Sequence, residues 1–384
     1  MSYYDVTPVS VADYRERARQ RLPGFLFHYI DGAANSEDTA AANIADFRDY
    51  HLRQRVMRDV SKVDTSTTLA GTTCAMPLVL APVGMAGMYA RRAEVLAARA
   101  AEKTGVPFTL STLGICPPEE VKQATTRPFW FQLYMLRDRD MVQSLLERAQ
   151  RNGCDTLVFT VDLAVAGMRL RDFRNGLVRT DWRSDLAKLA QLITRPLWAY
   201  DVGIKGKPHH FGSLVDAVDD PNDLAKVRDY VASQFDPSVT WEDIAWLRSV
   251  WEGKIIIKGV LEADDARAAI DAGADGIVVS NHGGRQLDGV ASAISTLPDV
   301  VAAVGDQTEV LLDGGVRSGI DVVKALALGA RGVMVGRPWV YALAGCGEAG
   351  LVDLLALFKK EIDTAMALMG VNTVAEINRD LIEV

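Results

Sequence analysis

KIIIKGVLEADDARAAIDAGADGIVVSNHGGRQLD, residues 254–288, decides the fold. It opens on an aliphatic run, KIIIKG (254–259), and passes through EADDARAAIDAGADG, whose apolar residues recur at helical spacing and which finishes with glycine. It then returns to a second aliphatic run, GIVVSN (276–281). Neither run alternates apolar with polar residues, so each strand has both faces covered. A helix joining two such strands is the unit of a parallel sheet. Working outward, further runs read as strands at PLVLAP (77–82), PFTLS (107–111), FWFQLY (129–134), TLVFTVD (156–162), EVLLDGG (309–315) and GVMVGR (332–337). Eight units of this kind close into a (β/α)₈ TIM barrel, an α/β fold. The strands end at intervals of 22–33 residues, except that 98 residues separate Thr160 from Lys258. That gap predicts a long inserted segment, 170–240, between strands four and five. Residues 1–70 read as a mostly helical extension with an extended segment near its end, residues 71–384 as the barrel, and the whole as a single domain.

Composition bounds the function. Hydrophobic residues make up 49% and charged residues 24%, the balance of an ordinary soluble globular protein. A formal charge of −8 excludes a general nucleic-acid binder, which needs a basic face for phosphates. The four cysteines, Cys74, Cys116, Cys154 and Cys346, form no C-x-x-C pair, so neither a zinc site nor a disulfide framework is expected, and a reducing, cytoplasmic compartment is. The N-terminal twenty residues carry charges where a signal peptide needs an apolar run, and no transmembrane segment is expected.

In a barrel of this type the active site lies at the C-terminal ends of the strands. Those ends read Gly84, Ser111, Gln132 with Tyr134, Thr160 with Asp162, Lys258, His282 with Arg285, Asp313 with Arg317, and Gly336 with Arg337. Packing alone does not explain so many polar and glycine residues there. His282 offers a base suited to neutral pH, and Arg285, three residues on, a planar fork suited to a carboxylate; a structural histidine in a solvated loop would read the same way. LLDGGVRSG and VMVGRP follow the last two strands, where such barrels hold a phosphate, with Arg317 and Arg337 at hand; two ordinary turns with surface arginines are the plainer alternative. Lys258 requires an anionic partner if buried, such as the edge of an electron-rich cofactor, or else reaches solvent. Gly345–Gly350 matches G-x-G-x-x-G but follows a helical WVYALA rather than a strand, so it is set aside as a dinucleotide site.

The motif SNHGGRQLD, with APVGMAGM, LST, WFQLY, FTVD, IIIKG, DGGVRSG and VGRP in the same order, resembles the FMN-dependent L-2-hydroxy-acid dehydrogenase and oxidase family almost end to end. LPGFLFHYIDG, APVGMAGMYARR and FDPSVTW are closest to its bacterial respiratory L-lactate dehydrogenases. The resemblance implies FMN as cofactor and oxidation of a small L-2-hydroxy acid to the 2-keto acid, with electrons passed to a quinone or another respiratory acceptor; an oxygen-using oxidase or a mandelate-type dehydrogenase is the alternative. It implies His282 as base and Asp162 as its orienting carboxylate. Arg285 and Arg169 would hold the substrate carboxylate, with Tyr29 and Tyr134 adding hydroxyl hydrogen bonds. The flavin would lie against Val83 and Gly84, bonded by Ser111, Gln132, Thr160 and Lys258, with Ser280 close by. Its phosphate would sit on Asp313, Gly315, Arg317, Gly336 and Arg337. No metal is implied, and tetramers are. The chain departs from close relatives at Ala164 and Val165, and carries Gly84 where many oxidases have alanine.

Between Arg169 and His210 nine Lys or Arg face four Asp, against the acidic balance of the whole chain, and LAKLAQLITRPLWAY mixes apolar residues with Lys188 and Arg195. Basic charge with aromatic anchors suits an anionic membrane surface. A solvated lid over the site is the other reading. The resemblance favours peripheral attachment at the inner face of the cell membrane, through residues 175–210.

Overall fold

The computed structural model describes residues 7–178, 181–215, 230 and 233–383. Eight parallel strands form the barrel: β1 (Leu78–Leu80), β2 (Thr109–Ser111), β3 (Phe129–Leu133), β4 (Cys154–Thr160), β5 (Lys254–Val260), β6 (Gly276–Val279), β7 (Glu309–Asp313) and β8 (Gly332–Val335). They pair in chain order, β8 pairs with β1, and a bridge between Leu80 and Phe108 joins β1 to β2. All eight lie within the runs read from the sequence, to within two residues at either end. The connecting helices begin on side-chain caps where the sequence supplies them: Asp138 accepts from the Met141 N–H, and Ser318 from the Asp321 N–H.

The strands read as unbroken aliphatic runs because both faces are buried. Val79, Trp130, Val158, Ile256, Val278, Leu311 and Met334 point into the barrel and form a dry inner layer. Their neighbours, among them Leu80, Phe131, Phe159, Ile257 and Leu312, face outward into the layer shared with the helices. Side chains alternate along a strand, so two residues beyond the inner layer the same direction is occupied by Ala81, Gln132, Thr160, Lys258, Ser280, Asp313 and Gly336. The apolar filling of the barrel therefore gives way, one layer up, to the polar floor of the site.

The N-terminal extension holds three helices, α1 (Val11–Arg21), α2 (Gly24–Asp31) and α3 (Asp38–Ala45), followed by extended chain. The boundary drawn at residue 70 falls inside a hairpin, Thr67–Leu69 with Thr72–Cys74, because fully buried Leu69 closes the floor of the barrel and joins the inner layer. The insertion after β4 contributes a helix at Trp182–Ile193 and a helical turn at Ala199–Ile204. Gly345–Gly350 lies inside the helix Arg337–Met369, not between a strand and a helix. Among the described residues that helix alone is long and apolar enough to cross a membrane, but half of its most apolar window is buried, as in a core helix.

The extension is tied to the barrel mouth by a reciprocal amide pair. Buried Asn43 of α3 donates to Asn281 Oδ1 at 2.8 Å, and Asn281 donates back at 2.9 Å. Asn43 Oδ1 also accepts from the Ala293 N–H, and Asn281 Oδ1 from the Gly284 N–H. Replacing Asn43 with Ala strands these buried groups, at about 1–3 kcal/mol each. We expect a clear drop in the thermal midpoint, measured by calorimetry; an unchanged midpoint would show that the pair adds nothing.

Candidate active site

The loop after β6 carries His282, the base expected from the sequence. His282 lies in the left-handed region at φ +58°, followed by Gly283 and Gly284 at +64° and +75°. A non-glycine residue there is uncommon and marks a functional turn. The loop is held by the Ser280 hydroxyl on the His282 N–H, by the Asn281 amide, and by α3, against which Gly284 packs so closely that a Cβ would stand 2.7 Å from the Ala40 nitrogen.

His282 Nδ1 is 2.8 Å from Asp162 Oδ1, at the tip of β4, and Nε2 is 3.4 Å from the Tyr134 hydroxyl. With Nδ1 committed to the carboxylate, Nε2 is the nitrogen left for proton transfer. Burial works against ionisation of Asp162, but the neighbouring imidazole and Lys258 more than offset it and hold its carboxyl below the usual range. Burial alone pushes the Tyr134 hydroxyl up, with Asp162 adding to it, so Tyr134 stays protonated.

Across the pocket, the Tyr29 ring on α2 has two guanidinium groups over it, Arg169 at 5.1 Å and Arg285 at 4.9 Å. Arg285 is fixed by donating to the Tyr29 and Gly32 carbonyls. Burial and the facing Arg169 push Arg285 down to about 10, still charged at neutral pH. Arg169 is desolvated too, yet Tyr29 and Asp172 outweigh that and raise it. Burial opposes ionisation of the Tyr29 hydroxyl, and the two arginines reverse it, lowering its pKa. Two half-buried cations facing one space, with the Asp172 carboxylate beside Arg169 at 3.6 Å, make a site for an anion.

The remaining expected residues fall into two groups. Val83, Gly84, Thr160, Lys258, Asp313, Gly315, Arg317, Gly336 and Arg337 line the same pocket as Tyr29, Tyr134, Arg169, His282 and Arg285. Ser111, Gln132, Asp162 and Ser280 stand behind it. The structure shows the protein partners of four of these residues. Lys258 finds its anionic partner in Asp313, 2.8 Å away, rather than in a cofactor edge alone; burial lowers Lys258, but Asp313 and Asp162 outweigh it and keep the ammonium charged. Asp313 thus pairs with Lys258 while lining the same pocket as Arg317 and Arg337. The Ser280 hydroxyl is taken up by Lys258, Asp313 and the His282 N–H. Arg337 spends donors on the Ile30, Gly283 and Gly32 carbonyls, tying α2 to the mouth.

The chemistry of the pocket fits FMN. The buried Gln132 amide nitrogen has no partner among the described residues, a donor of the kind a ring carbonyl takes. A Cβ at Gly336 would meet nothing nearer than Ala81 and Val83 at 3.8 Å, so the missing side chain leaves room at the phosphate end. Half-buried Arg317 and Arg337, both pushed down by desolvation, would face a phosphate.

Sequence reasoning missed several residues. Gln286 bonds the Asp162 and Val165 carbonyls and the Gly167 N–H, stitching the β4 loop to the β6 loop. Asp288 accepts from the Ser36 and Thr39 N–H groups and anchors the start of α3. Both lie inside the SNHGGRQLD motif, which was the available signal. Phe235, edge-on to Tyr134 at 5.7 Å, lines the pocket from the far end of the insertion, and it opens the FDPSVTW motif.

Comparisons with known proteins agree with this geometry. The profile described as FMN-dependent dehydrogenase matches residues 18–384. An L-lactate dehydrogenase of Caulobacter vibrioides (strain NA1000 / CB15N) is 54% identical over 373 residues, covering 97% of each chain. An L-lactate dehydrogenase of Yersinia pestis (strain Pestoides F) is 51% identical over 372 residues, also covering 97% of each. Among solved structures, the monotopic membrane protein (S)-mandelate dehydrogenase superposes with a TM-score of 0.92 at 34% identity, covering 98% of this chain and 100% of that one. A mandelate oxidase gives 0.81 at 39% identity, covering 96% of each. A profile match over residues 18–384 and relatives at 51–54% identity over almost their whole length show that the chain belongs to the FMN-dependent dehydrogenase family.

Proposed function

We propose that this protein oxidises L-lactate, or a 2-hydroxy acid of similar size, to the 2-keto acid with FMN, and passes the electrons to a quinone. The observation that carries the reading is the one pocket that His282, backed by Asp162, shares with the guanidinium groups of Arg169 and Arg285. The arginines hold the substrate carboxylate, which relieves their mutual repulsion. Tyr29 and Tyr134 bring hydroxyl groups to the same space. Carboxylate binding orients the carbinol group towards Nε2, which takes a proton, and Asp162 stabilises the imidazolium that results. Bound FMN supplies the acceptor for the two electrons. L-lactate is favoured because the relatives that match over almost their whole length at 51–54% identity are L-lactate dehydrogenases. The same proposal includes assembly as a homotetramer, to be weighed by light scattering.

A second observation bears on where the protein works. On the helix Trp182–Ile193, Trp182, Leu186, Leu189 and Ile193 follow one another at helical spacing and are all exposed, Trp182 and Ile193 at 71%, while the buried residue is Ser184. Leu197, Tyr200 and Ile204 extend the apolar surface. This inverts the usual arrangement of a surface helix, and an exposed stripe of this length marks an interaction site. Arg183, Lys188, Arg195, Lys205 and Lys207 lie along the same segment; Arg179, also counted among its cations, lies outside the described residues. We read the segment as a peripheral membrane contact that brings the site near a quinone pool, in keeping with the monotopic mandelate dehydrogenase that superposes on the chain.

Anaerobic mixing should bleach the flavin with L-lactate, more slowly with glycolate or L-mandelate, and not with D-lactate; reoxidation by a quinone faster than by oxygen completes the test, and bleaching by none of the four acids rejects the activity. His282→Gln should keep its flavin and lose about 10²–10⁴-fold in turnover; a variant retaining half the wild-type rate would place the base elsewhere. Arg285→Lys should raise KM and lower kcat together, because a point charge reproduces neither the fork nor its bonds to Tyr29 and Gly32. Trp182→Asp with Ile193→Asp should release the protein from anionic vesicles in co-sedimentation while leaving flavin bleaching by L-lactate unchanged. Equal recovery of wild type and variant in the supernatant would leave the segment as a lid.

A further inference from the structure

Strand β5 contains one irregularity. Its pairing with β6 slips between Lys258 and Val260: Lys258 lies opposite Val278 and Val260 opposite Val279, which leaves Gly259 as the extra residue of a bulge. Towards β4 the register is regular up to Lys258 opposite Thr160. A bulge beside an active site re-aims the side chains around it, and here it also places a residue without a side chain against Asp162. Gly259 has φ +111°, and a Cβ on it would stand 2.7 Å from both Cβ and Cγ of Asp162 and 2.9 Å from Oδ2. Carbon atoms in contact sit about 3.5–4.0 Å apart. The Asp162 carboxylate thus occupies the volume that any other residue at 259 would fill.

The carboxylate has no other place to go without leaving His282. Its main chain is pinned by the bond from Gln286 Nε2 to the Asp162 carbonyl at 2.8 Å. A Cβ at 259 meets the Asp162 Cβ as well as its carboxylate, so the whole side chain must shift, and that shift carries Oδ1 away from His282 Nδ1. Among the described residues Oδ2 has no hydrogen-bond partner, so packing on Gly259 is what seats that half of the group.

We infer that Gly259 is a positioning residue for the proton transfer: the bulge makes the seat that keeps Asp162 on His282 and so fixes the tautomer and orientation of the imidazole. The inference rests on the reading of His282 as the base. The experiment compares Gly259→Ala, Asp162→Gly and the double variant, each as flavin-loaded enzyme, by turnover with L-lactate and by thermal melting. Gly259→Ala should lose about 10²-fold in kcat with KM within about threefold of wild type, as expected when the base is misaligned and the carboxylate clamp is intact. The double variant should turn over no more slowly than Asp162→Gly and should melt above Gly259→Ala, because removing the whole side chain at 162, Cβ included, removes the clash. If backbone strain at φ +111° were the whole cost, the alanine would lower melting equally in both backgrounds and leave kcat near wild type, which overturns the inference. Should Gly259→Ala fail to accumulate, the double variant decides: soluble protein supports the seat and insoluble protein overturns it. Wild-type turnover of L-lactate, measured first, isolates any failure of the functional reading, and the melting comparison needs no substrate.

Discussion

The 2.8 Å hydrogen bond between His282 and Asp162 is the interaction on which the barrel mouth depends. It joins the tips of β4 and β6 across β5 and requires a carboxylate to stay ionised where water is scarce. Such a charge is stable only among compensating partners. The imidazole and Lys258 provide them, and Lys258 in turn is held by Asp313. Asp162, Lys258 and Asp313 thus form an alternating set whose charges answer one another below the pocket. Arg169 and Arg285 are less well answered, with Asp172 the nearest carboxylate, and the surplus of positive charge is the part of the site that an anionic substrate completes.

Backbone geometry serves the same bond. Three consecutive residues, 282–284, adopt left-handed conformations, which the chain tolerates because the turn is fixed from several sides. Ser280 and Asn281 hold it from the strand, Gln286 ties it to the β4 loop, and Asp288 fixes it to α3. The N-terminal extension is therefore part of the active site, not a covering for it. It provides the Tyr29 ring under the two guanidinium groups, the Asn43 half of the amide pair, and the carbonyls of Ile30 and Gly32 that engage Arg337.

The insertion after β4 is built on a different rule. Elsewhere apolar residues at helical spacing face the core, as in the helix Arg139–Arg151, where Val142, Leu145, Leu146 and Ala149 are buried. In the helix Trp182–Ile193 the corresponding residues face out. The energy of burying them is left for something outside the chain to realise, and the cations around them suit an anionic surface.

Periodicity along the chain determined the barrel, because strands buried on both faces leave unbroken aliphatic runs and helices between them leave a 3.6-residue repeat. It also determined the polar floor: in each strand the inward direction returns every second residue, so Trp130 leads to Gln132, Val158 to Thr160, Ile256 to Lys258 and Leu311 to Asp313. Fourteen of the eighteen residues expected at the site line one pocket, and the other four lie directly behind it. Pairing was a different matter. That Lys258 would meet Asp313, that Arg337 would engage carbonyls of α2, and that Gly259 would leave the space Asp162 fills all depend on distances between segments 55 to 307 residues apart or on a slip of register between two strands. Local patterns carry no record of such distances. The outward face of Trp182–Ile193 was equally hidden, since an apolar stripe reads the same whether it meets the core or the solvent, and only the packed tertiary structure decides which.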